Sequence, residues 1–506
     1  MLARQTKWSR RAVLTSGLLG TALARWGTAS VKGLTQSSAD AVRVKLDAIG
    51  RAVEAETHAG RATGVSISVA MGGVIVWESG FGLACKETPR AATAHTAFSL
   101  ASLTKPFTTA AVMRLVRAGK LDLDAPIDRY LRSPLPRSRF DAGAVTLRLL
   151  GGHAAGLPGL FEMFDQTRAP PRMPDLIRDY GELAYPPGER FEYANLGYSL
   201  LGAAVSSVTG QEFSTSLKEL VIRPMGLHNT FFDTDSARMP SAAGRYDQND
   251  HNIPFYTTAT PPSGELYASA HDLSAFAANM LGIQSDGRAP LLDRQALDAL
   301  FAPVFMSRTK AFTTFGWSGR DVAGERMIVK TGGQPGVAAR LTLLPLRKIS
   351  IAVIANRDDN RQLVADLSSE IASSLVSDWS NPDFHVNDVP EQDAGTHDHD
   401  GSWTGSIRTG DQSQSVRIEI DPAGKSQCMV GSDSARPIRD LTIHSRELTF
   451  SVDGGLSATA TTDGERQLDF KLIARNGVLV GRCLSSCDRP GFTSTEPHIV
   501  TLSRSS

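Results

Sequence analysis

Two stretches of this chain place a serine three residues ahead of a lysine: Ser102 with Lys105 in "SLTK" and Ser307 with Lys310 in "SRTK". A serine hydroxyl is a poor nucleophile at neutral pH and needs a base beside it. Lysine can serve once its neutral form is accessible, and burial or a second positive charge nearby favours that form. Geometry separates the two pairs. After Ser102 come Phe107, Ala110, Ala111, Arg114, Leu115 and Ala118 at helical spacing, closed by Gly119. On a helix, residues three apart share a face, so Lys105 can reach the Ser102 hydroxyl. After Ser307 come Thr313, Thr314 and Gly316, which do not favour a helix. Taken alone, Ser102 reads more readily as a helix N-cap than as a nucleophile.

Two further stretches add to the first. "PPGERFEYANLGYSLLG" holds Tyr193, Ala194 and Asn195 ahead of a helical run, the one Tyr-x-Asn among the eight tyrosines. "MIVKTGGQPGVAARLTLLP" holds the one Lys-Thr-Gly, Lys330 to Gly332, where a strand begins. Each residue has a structural reading: an aromatic core contact, a turn, a solvated strand end. The three motifs in this order are far more specific than any one. His153 in "HAAGLPG" reads as a turn residue rather than a base, and no Gly-x-Ser-x-Gly elbow of an α/β-hydrolase occurs.

With Ser-x-x-Lys, Tyr-x-Asn and Lys-Thr-Gly in sequence, the chain resembles the serine β-lactamase and penicillin-binding protein superfamily, in its class C-like branch. The resemblance runs from about residue 45 to 375 and includes "LLGGHAAGLPG" and "FGW" at Phe315 to Trp317. It implies an antiparallel, five-stranded sheet flanked by helices. It also implies roles: Ser102 as acyl acceptor, Lys105 as its partner, and Tyr193, as a phenolate favoured by the two lysines, as shared base and acid. Asn195 would orient Lys105 and the substrate, and Lys330, Thr331 and Gly332 would bind the substrate. The backbone N–H groups of Ser102 and Gly333 would form the oxyanion hole. Members of the peptidase and esterase subgroup that share "GGxPG" carry histidine where this chain has Lys330, so the lysine points toward carboxylated acyl donors. The expected activity is a serine hydrolase acting on amide or ester bonds of D-amino-acid peptides, β-lactams or esters. The alternative is a non-catalytic penicillin-binding-like or regulatory module that retains the fold.

These residues need a frame. "GVSISVAMGGVIVWESG" alternates apolar and polar residues around Gly72 and Gly73, which predicts a β-hairpin. "AARLTLLPLRKISIAVIAN" predicts two more strands around a turn at Leu346 to Lys348. Strands first and last with helices between predict an α+β fold whose sequence ends meet in one sheet. The polar stretch at 379–400, with "HDHD" as a solvated loop, reads as a linker between a hydrolase domain at 45–378 and an all-β unit at 401–506. That unit opens "GSWTGSI", similar to the entry of lipocalin-like barrels, so a C-terminal barrel or sandwich is expected.

Lys plus Arg and Asp plus Glu both number 53, and no basic stripe appears, which argues against nucleic acid as a partner. The expected partner is a small molecule or peptide, with cell-wall peptides and β-lactams among the candidates. Residues 1–30 carry Arg10 and Arg11 ahead of a weakly apolar run, which reads as a twin-arginine signal and an exported, periplasmic or extracellular protein. No stretch is apolar and long enough for a transmembrane helix. Cys428, Cys483 and Cys487 allow one bridge or free thiols. No cysteine or histidine spacing resembles a metal site, and neither metal nor cofactor is expected.

Overall fold

The computed structural model describes residues 36–160, 163–165, 169–258, 260–284, 287–322, 324–376, 379, 399–421, 424–454, 456, 466–489 and 492–505. The proposed signal segment and most of the expected linker lie outside them. Among the described residues, no helix is long and apolar enough to cross a membrane.

The hairpin around Gly72 and Gly73 is present: Gly64–Met71 pairs antiparallel with Val74–Cys85, and both turn glycines have positive φ, the region glycine enters without steric cost. The other edge of Gly64–Met71 pairs with Ile349–Ala355, so strands from the two ends of the sequence meet. Val337–Leu344 and Glu325–Gln334 follow in the sheet. These five long strands are extended by Arg90–Ala91 at one edge and by Ser318–Val322, Ala311–Thr313 and Phe305–Met306 at the other, which makes nine strands in all.

Helices cover both faces, and the strands read accordingly. Ile349–Ala355 is apolar almost throughout and buried at every position, as a strand covered on both faces must be. Its alternate residues serve different cores. Ile351 and Val353 pack with Leu46, Val53, Leu367 and Ile371 of the helices Gln36–His58 and Arg361–Leu375. Ala352 and Ile354 belong to the larger core with Phe107, Leu201 and Phe276, built on Lys105–Arg117, Asn195–Thr209 and Ala270–Met280.

The C-terminal part is a second nine-stranded antiparallel sheet. Its first strand, Gly401–Thr409, pairs with its last, Phe492–Arg504. Its two edges, Arg436–Pro437 and Arg439–His444, are separated only by Ile438, so the sheet is a nearly closed barrel. Trp403 of the "GSWTG" entry is buried inside, with Arg504 over its ring and its indole N–H donating to the His399 carbonyl at 2.9 Å. His399 is itself buried, which corrects the expectation of a solvated loop at that position: its Nε2 lies 3.4 Å from the Arg446 carbonyl, between two later barrel strands. Cys428 and Cys483 are free thiols in the barrel core, and the Cys487 side chain lies outside the described residues.

Candidate active site

Ser102 lies in a single 3-10 turn, Ala101–Thr104, that runs directly into the helix Lys105–Arg117. It caps neither element, because the cap positions are Leu100 and Thr104, and neither makes a side-chain cap bond. Ala101, fully buried, is held at φ 46°. That conformation costs a residue with a Cβ about 1–3 kcal/mol and persists only where the surroundings impose it. The surroundings here are specific: Leu100 N–H donates to the Leu266 carbonyl at 2.9 Å, and Thr104 Oγ1 accepts from Leu266 N–H at 3.1 Å.

Lys105 is fully buried, and its Nζ donates to Ser102 Oγ at 3.1 Å, Asn195 Oδ1 at 2.8 Å and the Ser263 carbonyl at 3.0 Å. All three acceptors are uncharged. Burial first, and the positive charge of Lys330 second, hold its pKa well below the usual lysine range. Asn195, at the start of the helix Asn195–Thr209, is fixed in turn by donating to the Leu160 carbonyl at 2.8 Å. A neutral Lys105 keeps two N–H groups for Asn195 and Ser263 and turns its lone pair toward the Ser102 hydroxyl.

The Tyr193 hydroxyl donates to Ser102 Oγ at 2.7 Å. The Nζ atoms of Lys105 and Lys330 lie 4.9 Å and 5.4 Å from its ring centre. Burial nevertheless pushes the phenol's pKa above its ordinary value. The lysines are themselves buried and shifted toward neutrality, Lys330 to about 7, so burial works against the expected phenolate.

Sequence reasoning set His153 aside as a turn residue, and it is one, with φ 57°. Its ring also stacks on Tyr193, with centres 4.2 Å apart and planes 28° from parallel. Its Nδ1 accepts from Ala194 N–H at 3.2 Å, and its carbonyl accepts from Glu192 N–H at 2.8 Å. Burial holds this imidazole well below its ordinary pKa, hence neutral. The same "HAAGLPG" turn binds Gly188 through the Ala154 carbonyl and Ala184 through the Gly156 carbonyl. It is the bed on which the tyrosine segment lies.

Lys330, Thr331 and Gly332 lie on the strand Glu325–Gln334, Lys330 buried and Thr331 exposed. A Cβ on Gly332 would stand 2.0 Å from the Leu100 carbonyl oxygen and 3.2 Å from Leu103 N, so only glycine lets this strand close on the serine turn. Beside it, a Cβ on Gly333 would stand 3.0 Å from the guanidinium carbon of Arg361. Arg361, exposed at the start of Arg361–Leu375, was not singled out from the sequence, since nothing local marks it. Ser307 and Lys310 form a tight turn instead: the Ser307 hydroxyl meets Thr309 Oγ1 and the Ala311 carbonyl, both at 2.9 Å, and Lys310 sits at φ 62°.

The barrel touches the tyrosine segment directly. Glu192, next to Tyr193 and 6% exposed, receives Arg482 at 2.6 Å and Lys471 at 3.3 Å from the barrel. Tyr185 donates to the Lys471 carbonyl at 2.9 Å, and buried Arg190 stacks on Tyr185 and pairs with Glu447. Opposite charges 279 to 290 residues apart in the chain carry no local signal, so sequence reasoning could not join them.

The Beta-lactamase family model matches residues 49–375. Protein flp of Staphylococcus aureus (strain N315) is 23% identical over 336 residues, which cover 65% of this chain and 66% of that protein. The chain thus matches just under two thirds of that relative's length. Among solved structures, a β-lactamase/D-alanine carboxypeptidase from Pseudomonas syringae superposes with a TM-score of 0.56 at 20% identity, covering 66% of this chain and 99% of that one. SurE, solved with D-Leu, superposes with a TM-score of 0.62 at 22% identity, covering 90% of this chain and all of its own.

Proposed function

The chain belongs to the β-lactamase family, and on that premise we propose that it is a serine hydrolase that takes the acyl group of an amide or ester onto Ser102. One observation carries the reading: the Ser102 oxygen is held at once by Lys105 at 3.1 Å and Tyr193 at 2.7 Å. Neutral Lys105 accepts the Ser102 proton as Oγ attacks the acyl carbon, and Tyr193 gives its proton to the departing nitrogen or oxygen. Lys105, now an ammonium, returns its proton to Tyr193. The N–H groups of Ser102 and Gly333 receive the developing oxyanion. Water then attacks the ester in the reverse sense, its proton passing through the same pair to Ser102 Oγ as the acid leaves.

For the acyl donor we favour molecules with a free carboxylate: D-amino-acid-terminated peptides or β-lactams. Support comes from Lys330, whose Nζ lies 5.4 Å from the Tyr193 ring centre, and from the exposed Arg361 beside Gly333 of the strand that also carries Thr331. The P. syringae enzyme is named for β-lactam and D-alanine substrates, and SurE was solved with a D-amino acid. We place the hydrolase domain at 45–378, the linker at 379–400 and the barrel at 401–506. On the twin-arginine reading of residues 1–30 the protein works outside the cytoplasm, and replacing Arg10 and Arg11 with lysines should then abolish export of a fused reporter.

The test of the activity is intact-mass analysis after exposure to a fluorophosphonate and, separately, to a penicillin. One adduct at Ser102, absent in Ser102→Ala, is the expected result. An unlabelled wild type, or labelling that survives Ser102→Ala, would favour a protein that keeps the fold without turnover.

A further inference from the structure

Two histidines and a glutamate that take no part in the proposed serine chemistry converge from three segments of the chain. Among the described residues, Glu78, His95 and His271 each offer one ligand atom, and these atoms lie within 4.8 Å of one another. We propose that they form a binding site for a zinc-class divalent ion, with solvent completing the coordination.

The geometry is close to what such an ion needs. In a tetrahedral zinc site with ordinary Zn–N and Zn–O bonds, neighbouring ligand atoms stand roughly 3.3 Å apart. Here His271 Nδ1 lies 3.0 Å from one Glu78 oxygen, and His95 Nε2 lies 3.7 Å from the other. The two imidazole rings stand 4.4 Å apart between centres. Two imidazolium cations at that distance repel each other, whereas two neutral rings and a carboxylate around a divalent ion are all attractive. Two nitrogens and one carboxylate suit zinc, and one carboxylate without a carbonyl cage does not suit calcium or magnesium.

The backbone already holds the three segments in register. Glu78 lies on the strand Val74–Cys85, one-fifth or less of its side chain exposed at 18%. His271 lies in the first turn of Ala270–Met280, where Ser269 caps the helix by accepting from Asp272 N–H at 3.0 Å. The His271 N–H donates to the Ala94 carbonyl at 3.1 Å, which fastens the turn carrying His95 to the helix. That turn is braced by Thr93 Oγ1, which accepts from His95 N–H at 3.2 Å. Only the His95 side chain, 57% exposed, must move to close the site. Spacing could not have announced ligands so far apart.

The test uses the full chain without a histidine tag, freed of metal by a chelator. Titration calorimetry with zinc chloride should give one ion per chain, cobalt(II) should give the visible absorption of a tetrahedral site, and zinc should raise the melting temperature by mass action. Excess magnesium should not compete. Glu78→Gln and His95→Ala should each weaken zinc by at least about tenfold, the low end of what even an outer partner of a metal ligand contributes. His95 is exposed, so its replacement leaves the fold in place and keeps the test valid if Glu78 or His271 variants misfold. No saturable zinc binding, or wild-type affinity in either His95→Ala or a folded Glu78→Gln, would overturn the site.

Discussion

Glu192 and Arg482 meet at 2.6 Å although 290 residues separate them, and the residue after Glu192 is the tyrosine that touches Ser102. The pair is almost wholly out of water, Glu192 being 6% exposed, and Lys471 completes it. Removing one member of a buried pair strands the other: Glu192→Ala leaves Arg482 and Lys471 without the carboxylate they share, the nearby Glu447 being paired with Arg190. The expected cost is about 3–5 kcal/mol, read as a lower denaturation midpoint. Deleting residues 401–506 acts differently, because Glu192 and Arg190 then face water and are rehydrated. The truncated protein should fold and still be labelled at Ser102, but more slowly, since the tyrosine segment has lost its clamp. A truncation as fast as wild type would show that the barrel does not position Tyr193.

Two adjacent glycines should respond oppositely to the same substitution. Gly332→Ala drives a methyl to within 2.0 Å of a backbone carbonyl that cannot move without shifting the serine turn. Gly333→Ala meets only the end of a flexible arginine at 3.0 Å, and its N–H is retained. Fluorophosphonate labelling should fall by at least about a hundredfold in the first, the magnitude of a lost oxyanion donor, and little in the second. Equal tolerance of both would mean that the strand need not close on Leu100.

The frame and the side chains that meet in the candidate site were legible because each is a local pattern. Alternation around Gly72, helical spacing after Ser102 and the three short motifs need no knowledge of distant contacts. What stayed hidden was the environment. Burial that no motif encodes raises the pKa of Tyr193, and His153 stacks 4.2 Å from its ring. The Ser263 carbonyl that completes the Lys105 contacts, the clamp on Glu192 and the guanidinium beside Gly333 come from segments far apart in the chain, brought together only by the fold.

If Tyr193 donates rather than accepts, its loss should fall hardest on substrates that need a proton at the leaving group. Tyr193→Phe should slow acylation by an amide about a hundredfold or more, but an aryl ester, whose phenolate leaves unaided, much less. Lys105→Ala should slow both together, since both need the Ser102 proton removed. Equal losses on both substrates in Tyr193→Phe would return the role of base to the tyrosine.

If Lys330 binds the carboxylate as proposed, substrate choice should depend on pH. Burial brings its pKa down to about 7, so the side chain is an ammonium below that value and a neutral amine above it. Only the ammonium attracts a substrate carboxylate, by a contact worth about 1.5–3 kcal/mol, or roughly ten- to a hundredfold in kcat/KM. The ratio of kcat/KM for a carboxylated donor to that for a matched neutral ester should therefore fall as pH rises through about 7. The ratio is the right quantity, because Lys330 also lowers the pKa of Lys105 and through it alters both substrates alike. Lys330→Arg keeps its charge throughout and should hold the ratio high and flat, whereas Lys330→Ala should hold it low and flat. A wild-type ratio that does not change with pH, joined to an unchanged ratio in Lys330→Ala, would take carboxylate recognition away from Lys330. It would then rest with the exposed Arg361 beside Gly333, and Arg361→Ala should collapse the ratio at every pH.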